Sequence, residues 1–124
     1  MYIVDGQSNE RLYPSNTAVA AGRQFYLVCE YHSARVTPVI SWRFLRASTF
    51  ADKLIYNETH LSPEFGDFQV HSTADGISNL TKRISNMHDA GTYRCIQKDG
   101  DRFVVSSAQV IVFGEFHIGL PVFS

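Results

Sequence analysis

The chain has 124 residues, of which 44% are hydrophobic, 13% aromatic and 19% charged. This length suits one globular domain, and the nine Phe and six Tyr supply enough apolar surface to exclude a disordered chain. The net charge of −1 argues against a surface that follows nucleic-acid phosphates or an anionic membrane.

The first residues give no sign of a targeting segment. Residues 1–6 contain neither a basic region nor a long apolar stretch, so no secretory signal is predicted there. No apolar run in the chain approaches the roughly 20 residues of a membrane-spanning helix. Either the protein is cytosolic, or the sequence is a mature or excised segment with an added methionine.

Short strands with alternating apolar residues are predicted along most of the chain. Leu27 and Cys29 fall on one face of a strand, and Ile40, Trp42 and Phe44 share a face of the next. In chain order, strands are expected at residues 2–4, up to 22, 23–30, 39–45, 53–57, 58–62, 68–71, 77–84, 92–98 and 102–113.

Two cysteines, one tryptophan and one tyrosine stand at informative positions. Cys29 and Cys95 are the only cysteines, and no Cys-x-x-Cys pair exists, so redox and zinc-ribbon motifs are absent. Trp42 lies between them, and Tyr93 faces the same side of its strand as Cys95. Two unrelated buried thiols would also account for the cysteines, because free Cys often fills a core.

The set formed by Cys29, Trp42 and the run Asp-x-Gly-x-Tyr-x-Cys at 89–95 resembles the immunoglobulin superfamily. The resemblance implies an all-β fold, a two-sheet antiparallel immunoglobulin-like β-sandwich with Greek-key connections and about eight or nine strands, of the variable-like or intermediate set. In the letters of that fold, the strands above are A, A′, B, C, C′, C″, D, E, F and G. The domain is expected to cover residues 1–113. Residues 114–124 are expected to be a linker, the start of a following domain or a segment that folds back on the sheet.

The resemblance also assigns roles to the residues that carry it. A disulfide between Cys29 and Cys95 would join strands B and F across the sandwich, with Trp42 packed on the sulfurs. It would also imply an oxidising compartment. Tyr93 would bond its hydroxyl back to the chain upstream. The structural core is expected to include Trp42, Leu27, Asp89, Gly91 and Tyr93.

Strand E departs from the family pattern. Alternation would place Lys82 inside the sandwich with Leu80 and Ile84, and a buried unpaired lysine is costly, so a bulge or an edge position is expected there. Variable-type members usually carry an arginine at the start of strand D that pairs with the aspartate before strand F. This sequence has no such arginine, so Asp89 is expected to bond Arg83 or nearby backbone N–H groups.

Two triplets match the N-glycosylation acceptor, at Asn57 and at Asn79. Asn79 and Thr81 point outward if Leu80 points inward, which suits a glycan. Ordinary solvent-facing polar residues would give the same pattern. Together with a disulfide, the triplets favour a cell-surface or secreted location.

The sequence contains no residue set typical of an enzyme. It lacks a Gly-x-Ser-x-Gly elbow, a phosphate-binding glycine loop and a His-Glu-x-x-His run. The five histidines sit singly, with none at metal-ligand spacing. We therefore expect no catalytic residue, no metal and no cofactor.

One sheet face is predicted to bind a partner. Strands C and F are oriented by Trp42 and Tyr93, which point inward, whereas the direction of strand G is ambiguous. If Ala108, Val110 and Val112 of strand G also point inward, the outward residues of the three strands combine apolar side chains with arginines, a composition typical of interfaces. A covering tail, a neighbouring domain or a bulge that shifts the alternation would remove this surface. We name it the GFCC′ face, and its predicted binding residues are Arg43, Leu45, Arg94, Ile96, Phe103, Val105 and Ile111.

These features favour a non-catalytic recognition domain of a cell-surface receptor ectodomain, which serves adhesion or self/non-self recognition. Its partner would be a protein, either a second copy or a related immunoglobulin-superfamily member. The domain is not expected to bind nucleic acid. It is expected to be attached to a membrane only through a segment outside this sequence. Two alternatives stay open. One is a secreted immune-type protein that binds through its loops, and the other is an intracellular structural module of the sarcomeric type with reduced cysteines.

Overall fold

The computed structural model describes residues 11–12, 16–31, 39–74 and 76–114. The strand expected at residues 2–4, most of the B–C connection and the tail after residue 114 lie outside them. Nine strands form within the described residues. They are β1 (Arg11–Leu12), β2 (Thr17–Ala20), β3 (Phe25–Tyr31), β4 (Val39–Arg46), β5 (Asp52–Tyr56), β6 (Phe68–Ser72), β7 (Ile77–Lys82), β8 (Gly91–Asp99) and β9 (Arg102–Phe113).

The strands form two sheets that pack face to face. One sheet has the order β1-β3-β7-β6, and the other has the order β2-β9-β8-β4-β5. Neighbouring strands are antiparallel except β2 and β9, which run parallel. In letters, β3, β7 and β6 are B, E and D, and the second sheet is A′-G-F-C-C′. The predicted all-β sandwich is therefore confirmed. The short strand β1 beside B was not predicted from the sequence.

The core lies between the two sheets and consists of the inward residues of each strand. Trp42 and Phe44 of β4 are fully buried, while the residues between and beyond them are partly exposed. The indole N–H of Trp42 donates to Ser78 Oγ at 2.9 Å, which satisfies the polar group that the ring brings into the core. The predicted disulfide joins Cys29 of β3 to Cys95 of β8 and so links the sheets.

Tyr93 fixes the corner that leads into β8. Its hydroxyl donates to the carbonyl oxygen of Asp89 at 2.6 Å, as the resemblance predicts. Burial raises the pKa of Tyr93, and the charge of Asp89 raises it further. Gly91 has φ +156°, and a Cβ there would lie 2.7 Å from Phe44 Cε1 and closer still to Leu45 O. Only glycine therefore lets β4 and β8 approach so closely at this point.

Lys82 lies inside the sandwich, so the expected bulge or edge position is wrong. The pairing of β7 with β3 and β6 continues without a shift to Lys82, whose side chain is 6% exposed. Its ammonium lies 3.2 Å from Asp89 Oδ1 and 3.0 Å from Asp67 Oδ2, and it stands over the Phe68 ring. The expectation assumed an unpaired lysine, whereas these partners offset the cost of burial.

Asp89 bonds Lys82 in place of the expected Arg83. Its Oδ2 also accepts a hydrogen bond from the backbone N–H of Asn86 at 2.8 Å, so the expected backbone partner is present. The Asn86 side chain in turn accepts from His88 N, which caps the short 3-10 helix at Met87–Asp89. A lysine of strand E thus takes the place that the resemblance gives to an arginine of strand D.

The end of strand E also differs from the expectation. β7 ends at Lys82, and Ile84 is 70% exposed although alternation placed it inward. The chain turns away from the sheet because Ser85 N donates to Arg23 O and Ser85 O accepts from Gly22 N. These bonds end the strand two residues early.

The predicted C″ strand at residues 58–62 does not form. Asn57 Oδ1 accepts from Thr59 N and His60 N, which closes a turn of the kind that asparagine favours. A single bridge joins Tyr56 to Leu61. The domain therefore has the C′ strand of variable-type domains but lacks C″ among the described residues.

Gln97 brings an amide into the core without a hydrogen-bond partner. Its side chain is fully buried, and both Oε1 and Nε2 lack a bond within the described structure. We expect Gln97→Met to raise the free energy of unfolding by about 1–2 kcal/mol, because a buried unpaired amide costs about that much and Met preserves its volume. Urea unfolding measures the difference. An unchanged or lower stability would contradict this account of Gln97.

Candidate binding face

The five-stranded sheet presents its outward side chains as rows that cross β4, β8 and β9. The rows follow from the strand register, since residues directly opposite each other share a face. All seven predicted residues of the GFCC′ face point outward. From the F–G hairpin onward, the first row is Val39, Lys98 and Phe103, the second is Ser41, Ile96 and Val105, the third is Arg43, Arg94 and Ser107, and the fourth is Leu45, Thr92 and Gln109.

The apolar part of the face is most exposed along β9. Phe103, Val105 and Ile111 are 66%, 51% and 58% exposed. Leu45 and Ile96, on the neighbouring strands, are half-buried. An outward strand face meant only for water carries polar residues at these positions. Phe103 and Val105 adjoin each other, whereas the polar Ser107 and Gln109 separate them from Ile111, and exposed apolar side chains of this kind are typical of interaction surfaces.

Asp52 holds the two arginines of the third row. Arg43 Nε lies 3.3 Å from Asp52 Oδ1, and a terminal nitrogen of Arg94 lies 2.9 Å from Oδ2. Desolvation opposes ionisation of Asp52, but the hydrogen bond from Arg94 and the charges of both arginines outweigh it and lower the pKa of this carboxyl. The guanidinium groups are thus oriented before a partner arrives, which lowers the entropy cost of binding.

A cavity of about 350 Å³ opens at the end of the face farthest from the F–G hairpin. Its lining includes Leu45 of β4, Thr92 of β8, Ile111 of β9 and Phe50 of the C–C′ turn. Phe50 is 78% exposed and has φ +56°. The cavity is large enough to receive one aromatic side chain, and such pockets are where interface anchors bind.

Two residues of this site, Asp52 and Phe50, were not predicted from the sequence. Asp52 escaped notice because the predicted C′ strand began at residue 53, whereas β5 begins at Asp52. Phe50 lies in a turn, where no alternation exists to indicate its direction. A strand boundary one residue earlier would have placed Asp52 beside Leu45, its partner in the register.

The predicted glycosylation sites lie away from the rows. Asn79 pairs with Val28 and His71 in the four-stranded sheet and is half-buried on its outward side. Asn57 is exposed just after β5, and its Oδ1 closes the turn described above. Attachment of glycans at either position stays a prediction.

A second cavity of the described residues surrounds buried charges. A polar cavity of about 270 Å³ is lined by Lys82, Asp67, Asp89 and His88 and belongs to the buried ion pair. In the described ranges, no group of three or more His, Cys, Asp or Glu side chains could hold a metal ion. No helix in the same ranges has the length and apolarity to span a membrane.

The strand order, the inter-sheet disulfide and the tyrosine corner define an immunoglobulin-like fold. A complex of titin M10 with the obscurin-like 1 Ig domain is similar at TM-score 0.63 and 17% identity, over 83% of this chain and 89% of that chain. Titin z1z2 in complex with telethonin is similar at TM-score 0.63 and 20% identity, over 85% of this chain and 47% of that chain. The titin M3 domain is similar at TM-score 0.60 and 13% identity, over 91% of this chain and 95% of that chain. No protein-family model and no curated protein sequence matches the chain.

Proposed function

We propose that this domain is a non-catalytic protein-recognition module of a cell-surface receptor, which binds its partner through the GFCC′ face. The observation that carries the proposal is the exposure of Phe103, Val105 and Ile111 on the same sheet face as two arginines that Asp52 already orients. Burial of the apolar side chains would supply affinity, and the arginines would discriminate between partners. The function served is adhesion or self/non-self recognition, with N-glycans at Asn57 and Asn79.

Similar domains occur with protein partners, since titin domains have been solved with telethonin and with obscurin-like 1. That likeness supports a binding module and suits the intracellular, sarcomeric-type alternative equally well. A secreted protein that binds through its loops is less favoured, because only Gly100 and Asp101 separate β8 from β9. So short a hairpin offers little loop surface.

The redox state of the cysteines separates the cell-surface proposal from the intracellular alternative. Intact mass is measured before and after alkylation of protein from its natural source that is denatured without reductant, because Cys29 and Cys95 are fully buried in the folded domain. A mass that does not change supports the cell-surface proposal, because Cys29 and Cys95 are then disulfide-bonded. Addition of two alkyl groups would contradict it and favour the intracellular module.

The change Ile96→Arg tests the face directly. Ile96 lies in the second row, and an arginine there would bring an additional charge beside Arg94 into the contact. We expect an unchanged unfolding midpoint and a loss of binding of roughly tenfold or more, as for a residue near the centre of an interface. Binding is measured between protein-coated beads and between beads and cells that display candidate immunoglobulin-like partners.

The matched control is Val28→Arg, since Val28 is a half-buried outward aliphatic residue of the opposite sheet and lies outside both glycosylation triplets. It should bind as the wild-type protein does. Equal binding by the Ile96→Arg variant, or loss in the Val28→Arg variant alone, would contradict the proposed face. An Ile96→Arg variant that fails to fold would contradict the outward assignment of Ile96.

A further inference from the structure

We infer that the partner on the GFCC′ face is a second copy of this chain, related by a two-fold axis that lies across the strands. In this dimer, Phe103 of each copy enters the cavity lined by Leu45, Phe50 and Ile111 of the other. The inference rests on the proposed function of the face and adds the identity and the orientation of the partner.

The positions of Phe103 and the cavity carry this arrangement. Phe103 is an exposed aromatic side chain in the first row, and the cavity adjoins the fourth row. Six residues of β8 separate Lys98 in the first row from Thr92 in the fourth, a distance of about 20 Å at 3.3 Å per residue. A two-fold axis between the second and third rows exchanges the first row with the fourth. Both anchors therefore reach both cavities in one isologous contact.

The charges of the face select this axis over the alternative. An axis along the strands would place each row on itself, so that Arg43 and Arg94 would meet the same arginines of the other copy. An axis across the strands instead places each strand on itself with its rows reversed, so Arg94 meets Ile96, which can pack against its apolar stem, and Arg43 meets Ser41. It also brings the exposed Lys98 over Thr92, in the row in which Leu45 pairs with Asp52. Lys98 then shares a row with an acidic residue two strands away, and like charges are apart.

The area of the face is sufficient for such a dimer. Five strands spaced about 4.8 Å apart span about 19 Å, and eight residues along β8 span about 26 Å. The sheet surface is therefore about 500 Å² in projection, and standing side chains enlarge the accessible area toward the roughly 800 Å² per partner of a standard interface. The contact is thus large enough for a specific, reversible association between cell-surface domains.

Sedimentation equilibrium of the disulfide-intact protein tests the inference with two single variants. Phe103→Ala removes the anchor, and Gln109→Trp places a bulky ring at the mouth of the cavity on an exposed position. Each change is expected to raise the dimer dissociation constant by roughly thirtyfold or more, as for an aromatic anchor that fills a pocket. Ile84→Ala removes an equally exposed apolar side chain outside the face and should leave dimerisation unchanged.

A mixture of the two variants gives the most specific result. In a heterodimer, Phe103 of the Gln109→Trp copy meets the intact cavity of the Phe103→Ala copy, so one of the two anchor contacts is retained. Neither homodimer retains any. We therefore expect the mixture to form heterodimer at concentrations where each variant alone is monomeric.

Failure of this inference can be distinguished from failure of the proposed function. The inference is overturned if the wild-type protein stays monomeric up to millimolar concentration. The proposed face would still be upheld if the protein binds another domain and Ile96→Arg abolishes that binding. The anchor arrangement alone is overturned if Ile96→Arg weakens the dimer but Phe103→Ala does not, or if the mixture of variants stays monomeric. A dimer insensitive to all three changes overturns both.

Discussion

The Lys82→Met variant is expected to lose about 3 kcal/mol of folding free energy, because it leaves the carboxylate of Asp89 in the core without its cation. The side chains of Lys82 and Asp89 are 6% and 7% exposed, and their charged atoms are 3.2 Å apart. Removal of one partner from a buried pair costs more than the pair contributes, since the remaining charge keeps its desolvation penalty. The bond from Asn86 N to Asp89 Oδ2 remains and keeps the loss at the lower end of the usual range.

Two further variants separate this explanation from a general effect of lost charge. Lys53 forms an ion pair with Glu64 at 3.3 Å, but both side chains are almost half exposed, so Lys53→Met should cost less than about 1 kcal/mol. The change Asp89→Asn made in the Lys82→Met variant should recover part of the lost stability, because it removes the unpaired charge. Urea unfolding at neutral pH measures all three proteins. Equal losses from Lys82→Met and Lys53→Met would contradict the role given to the buried pair.

The double change Cys29→Ala and Cys95→Ala is expected to cost about 4 kcal/mol, the loop-closure entropy for a disulfide of this separation. The bond joins residues 66 positions apart and connects the two sheets at the centre of the core. Without it, the unfolded chain gains conformational freedom that the folded state lacks, and the truncated side chains leave unfilled volume beside Trp42.

Guanidinium unfolding of the double variant, compared with that of the oxidised wild-type protein, measures this contribution. Wild-type protein treated with reductant should approach the stability of the variant, because both lack the cross-link. A difference below about 1 kcal/mol would contradict the disulfide's contribution to stability. It would also remove one argument for an oxidising compartment.

Strand β4 could be predicted closely because its inward residues form an unbroken apolar alternation. Ile40, Trp42 and Phe44 indicate β4, and the observed strand differs from the prediction by one residue at its end. The tyrosine corner followed from the spacing between Tyr93 and Cys95, which is local along the chain. Features of this kind depend on residues close together in sequence, and the sequence displays them directly.

The errors lie where contacts between distant segments decide the outcome. Alternation correctly placed Lys82 inward, but its partners Asp67 and Asp89 come from two separate loops, so the pairing could not be read along the strand. Ile84 was misplaced because Ser85 bonds across to Arg23, far away in sequence. Such contacts arise from tertiary packing, which single-strand patterns do not contain.

The candidate face shows the same division. Strand parity alone gave the outward directions of Ile96, Phe103 and the other predicted residues, since one alternation fixes every position of a strand. The ion pairs of Asp52 with two arginines depend on the register between strands, and the cavity beside Phe50 depends on the shape of a turn, so neither could be predicted from one strand. The ion pairs orient the arginines, and the cavity is the concave part of the face.

Residue-resolved NMR of the protein across a dilution series is the sharpest test of the GFCC′ face as the recognition surface. We expect the amide shifts of Ile96, Phe103, Val105 and Ile111 to depend on concentration, while those of Tyr26 and Thr81 on the opposite sheet stay constant. Shifts that change only on the sheet of Tyr26 and Thr81 would contradict this assignment. A second combination of results would also contradict it. In that case the spectra do not change with concentration, and the Ile96→Arg variant binds every other partner domain as well as the wild-type protein does.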